Sequence, residues 1–422
     1  MTDSNGRRRV VITGMGAVSP LGLSVEELWD GLTGGRSGVE RITSIDTSNY
    51  PVKLAGEVKD FEPERYMERK EARRMARFSQ LAVAASVEAA QQAGLTENAV
   101  DPERLGVILG NGYGGLPNSE DAMRTLIAKG GMRLDPFYML KTLPNMAASH
   151  LTLRYGAKNQ SSTIVTACAA ATQAMGDAAG IIRRGDADVM ITGGTEAGIC
   201  ELGMASFSVM KVLSTANDEP HKASRPFDAK RDGFISSEGA GIFVLEELGH
   251  ARARGATILA ELIGAAATAD AYHIVAPCAD GDGASRCMRR ALEDAGVGPE
   301  EIDYINAHGT STPLNDAAET AGIKTALGEH AYQIPISSSK SMLGHALGAS
   351  GALESIACVR TIQTGVIHPT INYEYPDPNC DLDYVPNIAR HVEVRTVLKN
   401  SFGFGGQNAC LVFRRYEPEA RN

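Results

Sequence analysis

Residues 161–180, SSTIVTACAAATQAMGDAAG, and residues 335–355, PISSSKSMLGHALGASGALES, carry the same order of parts. Each begins as a short polar strand, passes a turn and enters a helix that opens on small residues. Laid on one another, the segments put Cys168 and His345 at like places at the two helix starts. Duplicated halves facing each other would bring both residues to one central site. A chance likeness between two Ala/Gly-rich helices would give the same letters, so the rest of the chain has to decide.

Working outward, short β-rich runs alternate with Ala-rich helical stretches from end to end: RVVITG, LGVILGNG, STIVTA, VMITGG, GIFVLEEL, DYINAHG and NACLVF. That alternation predicts an α/β layered fold. At 422 residues the chain is too long for one small core. The nearest thing to a seam is ELGHARARGATILAELIG, residues 247–264, which divides the chain into halves 1–255 and 256–422. Charged residues at 22% and apolar ones at 43% fit a soluble globular protein. No run reaches the ~20 apolar residues of a membrane span, and MTDSNGRRR is no signal peptide, so a cytoplasmic location is expected. A net charge of −10 argues against nucleic acid as a partner. The seven cysteines lack the spacing of a zinc site and read as buried free thiols.

Cys168 sits where the strand-like STIV meets a helix. Unpaired N–H groups and the helix dipole there favour a thiolate and offer donors to an oxyanion. A lone cysteine in an Ala-rich helix also fits plain core. Its partners lie in the second half. His308, in IDYINAHGTSTPLND, follows a strand at a Gly/Thr/Ser turn. Lys340 and His345, in SSSKSMLGHALGASGALE, flank another strand-to-helix turn, with Glu354 one or two turns on. In SFGFGGQNACLVF, Gly403, Gly405 and Gly406 free the backbone beside Phe402 and Phe404, which suggests a mobile aromatic flap or a tight turn into the last strand. GMGAVSPLG, with Gly14 and Gly16, hints at a dinucleotide loop, but Ser19 and Pro20 break the pattern and no nicotinamide cofactor is expected.

Taken in order, VVITGMGAVSPLG, TACAAA, ASRPFDAKRDGF, SEGAG, DAYHIVAP, AHGTSTP, KSMLGH and NSFGFGG resemble the elongating β-ketoacyl-acyl carrier protein synthases, nearest the synthase II type. The resemblance spans nearly the whole chain. It implies a thiolase-like fold of two pseudo-symmetric halves in a layered α-β-α-β-α core. It further implies decarboxylative condensation of malonyl-acyl carrier protein with a cysteine-bound acyl chain, in a homodimer or a heterodimer with a related subunit, without cofactor, metal, nucleic acid or membrane. By the resemblance Cys168 is the nucleophile, and His308 and His345 bind the malonyl thioester. Lys340 and Glu354 hold the histidines, and Phe404 and Phe402 form the gate, the N–H groups of Cys168 and Phe404 making the oxyanion hole. Thr310 and Thr312 bind pantetheine. Tyr113, Met139, Phe207 and Glu201 line the acyl tunnel. Lys70, Arg73, Arg74 and Lys211 dock the acidic carrier protein, a meaning for the basic stretch from Arg65 to Arg77 that is otherwise a solvated helix face.

Two residues depart from the family pattern. Tyr113 stands where relatives carry a smaller aliphatic side chain, and Glu201 where they are usually uncharged; as a buried carboxylate it would need a partner or a proton. Both leave chain length open, and with it fatty acid synthesis against a specialised polyketide or polyene pathway. A non-catalytic chain-length partner would lack the cysteine, and a cysteine hydrolase suits two histidines and a lysine less well.

Overall fold

The computed structural model describes residue 2 and residues 6–95 and 99–418. Ten strands form the main sheet: β1 Val10–Val18, β2 Leu105–Gly110, β3 Ser161–Ile164, β4 Val189–Glu196, β5 Gly239–Glu247, β6 Ala260–Ala269, β7 Tyr304–Asn306, β8 Ile336–Ser337, β9 Thr396–Gly403 and β10 Gln407–Arg414. Their order is β8-β7-β9-β10-β6-β1-β5-β4-β2-β3. Read outward from the centre, β1-β5-β4-β2-β3 and β6-β10-β9-β7-β8 have the same connectivity. Strand directions match too, the two inner pairings of each set being antiparallel and the two outer ones parallel. The sets join through a short antiparallel contact, Val11 with Glu261 and Ile12 with Ala260.

Three helical layers complete the α-β-α-β-α stack. α1 (Arg77–Ala93) covers one face of the first set, and α2 (Asp282–Ala295) with α3 (Pro313–Leu327) covers the second. Between the sets, α4 (Ala170–Arg184) and α5 (Ser350–Thr364) pack on each other. A helix sandwiched between sheets must be apolar on all sides. In α5 every residue from Ser350 to Val359 is buried, and the one charged exception to the apolar rule, Glu354, is paired inside.

The two quoted segments do occupy equivalent places, but the register is three residues from the one the letters suggest. A 3₁₀ turn, Ala167–Ala169, leads into α4 and another, Leu347–Ala349, leads into α5. The first residues of these turns, Ala167 and Leu347, share an unusual positive φ of 48° and 44°. The counterpart of Cys168 is therefore Gly348; His345 lies in the longer connection before the turn. The glycines of GMGAV are not in a loop either. Gly14 and Gly16 lie inside β1, where the backbone of α1 at Ala89 and Ala85 occupies the space a Cβ would need. They permit close helix–sheet packing and cradle no phosphate. The 247–264 stretch contains a short helix, Leu248–Ala253, and the first residues of β6.

Candidate active site

Parallel strands of both sets aim their carboxyl ends at one place. β3 leads to Cys168, β7 to His308, and β8 to Lys340 and His345. All four side chains are buried. His345 Nε2 lies 3.0 Å from Cys168 Sγ. The His308 ring stands at 82° to that of His345, with centroids 5.4 Å apart.

Each imidazole is held as one tautomer. The Leu347 N–H donates to His345 Nδ1 at 3.2 Å, beside the Ser350 hydroxyl at 2.8 Å, which can donate to the same atom, and Lys340 Nζ faces His308 Nδ1 at 3.4 Å while donating to the His308 carbonyl at 2.6 Å. A nitrogen that faces a donor keeps its lone pair, so Nε2 carries the proton on both rings. Burial, followed by the Lys340 charge, pushes both histidines well below their usual range. They are neutral N–H donors.

Cys168 Sγ, His308 and His345 place three ligand-type atoms within 4.8 Å, a spacing that could hold a metal ion. The surroundings do not fit one. A histidine ligating through Nε2 donates its Nδ1–H to an acceptor, whereas here both Nδ1 atoms meet donors.

Lys340 also contacts Glu354 Oε1 in α5. The other carboxylate oxygen, Oε2, lies 2.8 Å from Lys399 Nζ in β9, a charge contact without hydrogen-bond geometry. Lys399 escaped the sequence reading. Its signal was a lysine in TVLKNSF, a strand whose neighbours Val397 and Leu398 are apolar, so that its ammonium has to find a partner inside. Glu319 was missed as well: it accepts from the N–H groups of His308 at 2.8 Å and Gly309 at 2.7 Å and so fixes the turn that carries the histidine.

The backbone N–H groups of Phe404 and of Cys168 itself both favour the thiolate form of the sulfur. Gly403 lies so close to the Thr166 carbonyl and the Cys168 N–H that a Cβ would crowd both. The helix start does not make a resting thiolate, contrary to the sequence expectation. Burial outweighs the two N–H groups and the Lys340 charge and pushes the thiol up to about 11. Phe402 packs edge-on to His308 at 5.8 Å, and Phe404 joins the apolar cluster around Cys168. Their loop is the tight turn of the β9–β10 hairpin. Gly405 and Gly406 take positive φ, and the turn is tied to a neighbouring loop by Gly405 N–H to Ile274 O and Asp270 N–H to Gly406 O.

A cavity of about 300 Å³ runs from the surface to Cys168, His308 and His345. Thr310 and Thr312 line it, their hydroxyls 2.9 Å apart, and Lys211 stands in its wall as an exposed residue. Lys70, Arg73 and Arg74 are exposed on a separate segment, where the Arg74 guanidinium lies 4.9 Å over the Phe137 ring. Tyr113 and Phe207 are not in this cavity. They pack 6.0 Å apart in the cluster that contains Cys168, with the Tyr113 ring against Gly198. Met139 is 61% exposed. Glu201 is not a buried carboxylate: it is half-exposed at the start of a helix, Glu201–Met210, and pairs with Arg124 at 2.8 Å.

The family description "Beta-ketoacyl synthase, N-terminal domain" matches residues 7–251, and "Beta-ketoacyl synthase, C-terminal domain" matches residues 259–374. A Synechocystis protein named 3-oxoacyl-[acyl-carrier-protein] synthase 2 is 49% identical over 97% of this chain and 99% of its own length. A Staphylococcus aureus protein of the same name is 48% identical over the same shares. Among solved structures, the ishigamide ketosynthase/chain length factor superposes with a TM-score of 0.91 at 40% identity, covering 97% of this chain and 100% of that one. A type II PKS ketosynthase in complex with its acyl-carrier protein, bound to the hexaketide, gives 0.89 at 38%, with the same coverage. With both family halves matched in order and relatives alike over almost their whole length, the chain belongs to the β-ketoacyl synthases.

Proposed function

We propose that the protein condenses a cysteine-bound acyl chain with malonyl-acyl carrier protein in fatty acid elongation. The observation that carries this reading is the buried thiol 3.0 Å from a neutral Nε2–H, with a second neutral imidazole beside it at the end of a channel. Cys168 first displaces the carrier-protein thiol from an acyl thioester; its own proton leaves with that thiol. Malonyl thioester then enters along Thr310 and Thr312. The bond to its carboxylate breaks, carbon dioxide leaves, and the electron pair becomes an enolate on the thioester oxygen. His308 and His345 donate to that oxygen, each such donor being worth roughly 2.7–4 kcal/mol in related sites. The enolate carbon attacks the acyl-Cys168 carbonyl, whose oxyanion meets the N–H groups of Cys168 and Phe404. The thiolate departs, takes a proton, and a 3-oxoacyl thioester two carbons longer remains.

The same reading assigns carrier-protein docking to Lys211 with Lys70, Arg73 and Arg74, and divides the chain into halves at residue 255. It includes a dimer. β3 is an edge strand, and near it Leu153 and Val165 are exposed, as are Ile127 and Met139. Open strand edges beside apolar side chains are normally covered. Met139 and Glu201, outside one chain, would join a tunnel wall only through such a dimer. A specialised polyketide or polyene pathway is the second reading, favoured by Tyr113, whose ring packs in the apolar cluster that contains Cys168.

The test is to incubate the protein with acyl carrier proteins bearing chains of graded length and weigh the intact enzyme. Wild type gains the acyl mass and Cys168→Ala does not; a wild-type mass that never shifts ends the reading. Tyr113→Gly is expected to accept longer chains, and an unchanged length profile removes the tunnel role.

A further inference from the structure

Glu354 is caught between two buried lysines from different parts of the chain. Lys340 approaches one oxygen from the turn before His345, and Lys399 the other, at 2.8 Å, from β9. Lys399 is fully buried. Its ammonium also donates to Thr172 Oγ1 at 3.0 Å, to the Asn400 carbonyl at 2.9 Å and to Ser401 Oγ. Burial lowers the Lys399 pKa and the Glu354 charge works against that, so the charged form is held by the carboxylate and by these oxygens. Thr172 is the third residue of α4, the helix that Cys168 opens, and its hydroxyl is 2.8 Å from that of Ser401. Lys399 therefore touches the cysteine helix, the strand that ends at Phe402 and Gly403, and the carboxylate that holds Lys340 against His308.

We propose that Lys399 is a positioning residue of the condensation: by sharing Glu354 it aims Lys340 at His308 Nδ1 and ties that cation to the helix carrying Cys168. It touches no reacting atom. Lys340 alone could swing its ammonium wholly onto the carboxylate; a second cation on Oε2 fixes the carboxylate plane and leaves Lys340 free to face the imidazole and the His308 carbonyl. Its charge also helps Lys340 to keep both imidazoles unprotonated. The inference rests on the condensing-enzyme reading.

The test compares wild type, Lys399→Met and Lys399→Arg as full-length proteins in two half-reactions: acyl uptake by Cys168, read by intact mass, and decarboxylation of malonyl-acyl carrier protein, read across pH. In Lys399→Met, acyl uptake is expected to stay near wild type. Decarboxylation should fall about tenfold, a part of the 10²–10³ lost with a direct donor. The acid limb of its pH profile should move to higher pH, because loss of a nearby cation raises the histidines' affinity for protons. Lys399→Arg should restore the limb. If Lys399→Met does not fold, as read from its melting curve, Lys399→Gln keeps the donors without the charge and carries the same comparison. A folded variant with wild-type decarboxylation and an unmoved limb overturns the proposal, and so does an equal loss in both half-reactions with the limb unmoved. An inactive wild type would instead overturn the condensing-enzyme reading.

Discussion

His308 and His345 are alike in sequence and alike in state, for the same reason: each Nδ1 faces a donor, and burial removes the charged form. Replacing either by alanine removes one donor from the enolate. A decarboxylation rate about 10²–10³ lower is expected for each, measured with malonyl-acyl carrier protein. Cys168 behaves differently from what its helix start suggests. With its thiol near 11, alkylation by iodoacetamide should rise about tenfold per pH unit through neutral pH with no plateau; a plateau near pH 7 would mean a resting thiolate. Cys168, His308, Lys340, His345 and Glu354 could be picked out as letters because each sits in a Gly- or Ala-rich turn or just past it. Lys399 could not, since a lysine inside an apolar strand names its need for a partner and not which partner.

At the scale of elements, the β9–β10 hairpin turn shows what glycine does here. Gly403 has no room for a Cβ between the Thr166 carbonyl and the Cys168 N–H. Gly403→Ala should push the turn off the cysteine loop, moving the Phe404 N–H with it. The expected result is loss of acyl uptake with a smaller change in melting temperature than a core clash would give, because the turn is only partly buried. Gly16→Val should do the opposite. It forces α1 away from β1, costs roughly 1–3 kcal/mol or more by overpacking, and lowers the melting temperature with the site itself untouched. The strand-like runs of the sequence all fall on strands, since short apolar runs between turn residues state themselves. The paired placement of Cys168 and His345 failed by three residues because the connection before α5 is longer than that before α4, and small-residue helices align almost equally well in several registers.

For the whole molecule, buried titratable groups set a dependence of stability on pH. His368 is enclosed near Tyr304 and Ser337, and burial drops it from 6.5 to about 4. Its folded-state pKa lies below that of the unfolded chain, so its contribution is complete above pH 6.5 and is lost as pH falls toward 4. Glu196, raised to about 7 by burial, works in the other direction, favouring the fold at low pH and losing that contribution as pH rises from 4.5 toward 7. Denaturant melts of wild type and His368→Asn should therefore converge as pH drops from 6.5 to about 4, wild type losing up to about 1.4 kcal/mol per unit that the variant does not. The amino-acid sequence by itself determined the layered α/β class and the turn residues that meet at the site, and only hinted at the duplication, because hydrophobic period and glycine turns are local and write themselves into neighbouring letters. Only the tertiary structure decided the tautomers, the raised thiol, the partnered surface position of Glu201 and the link from Lys399 through Glu354 to Lys340. Those follow from burial and from contacts between residues far apart in the chain, which no local pattern encodes.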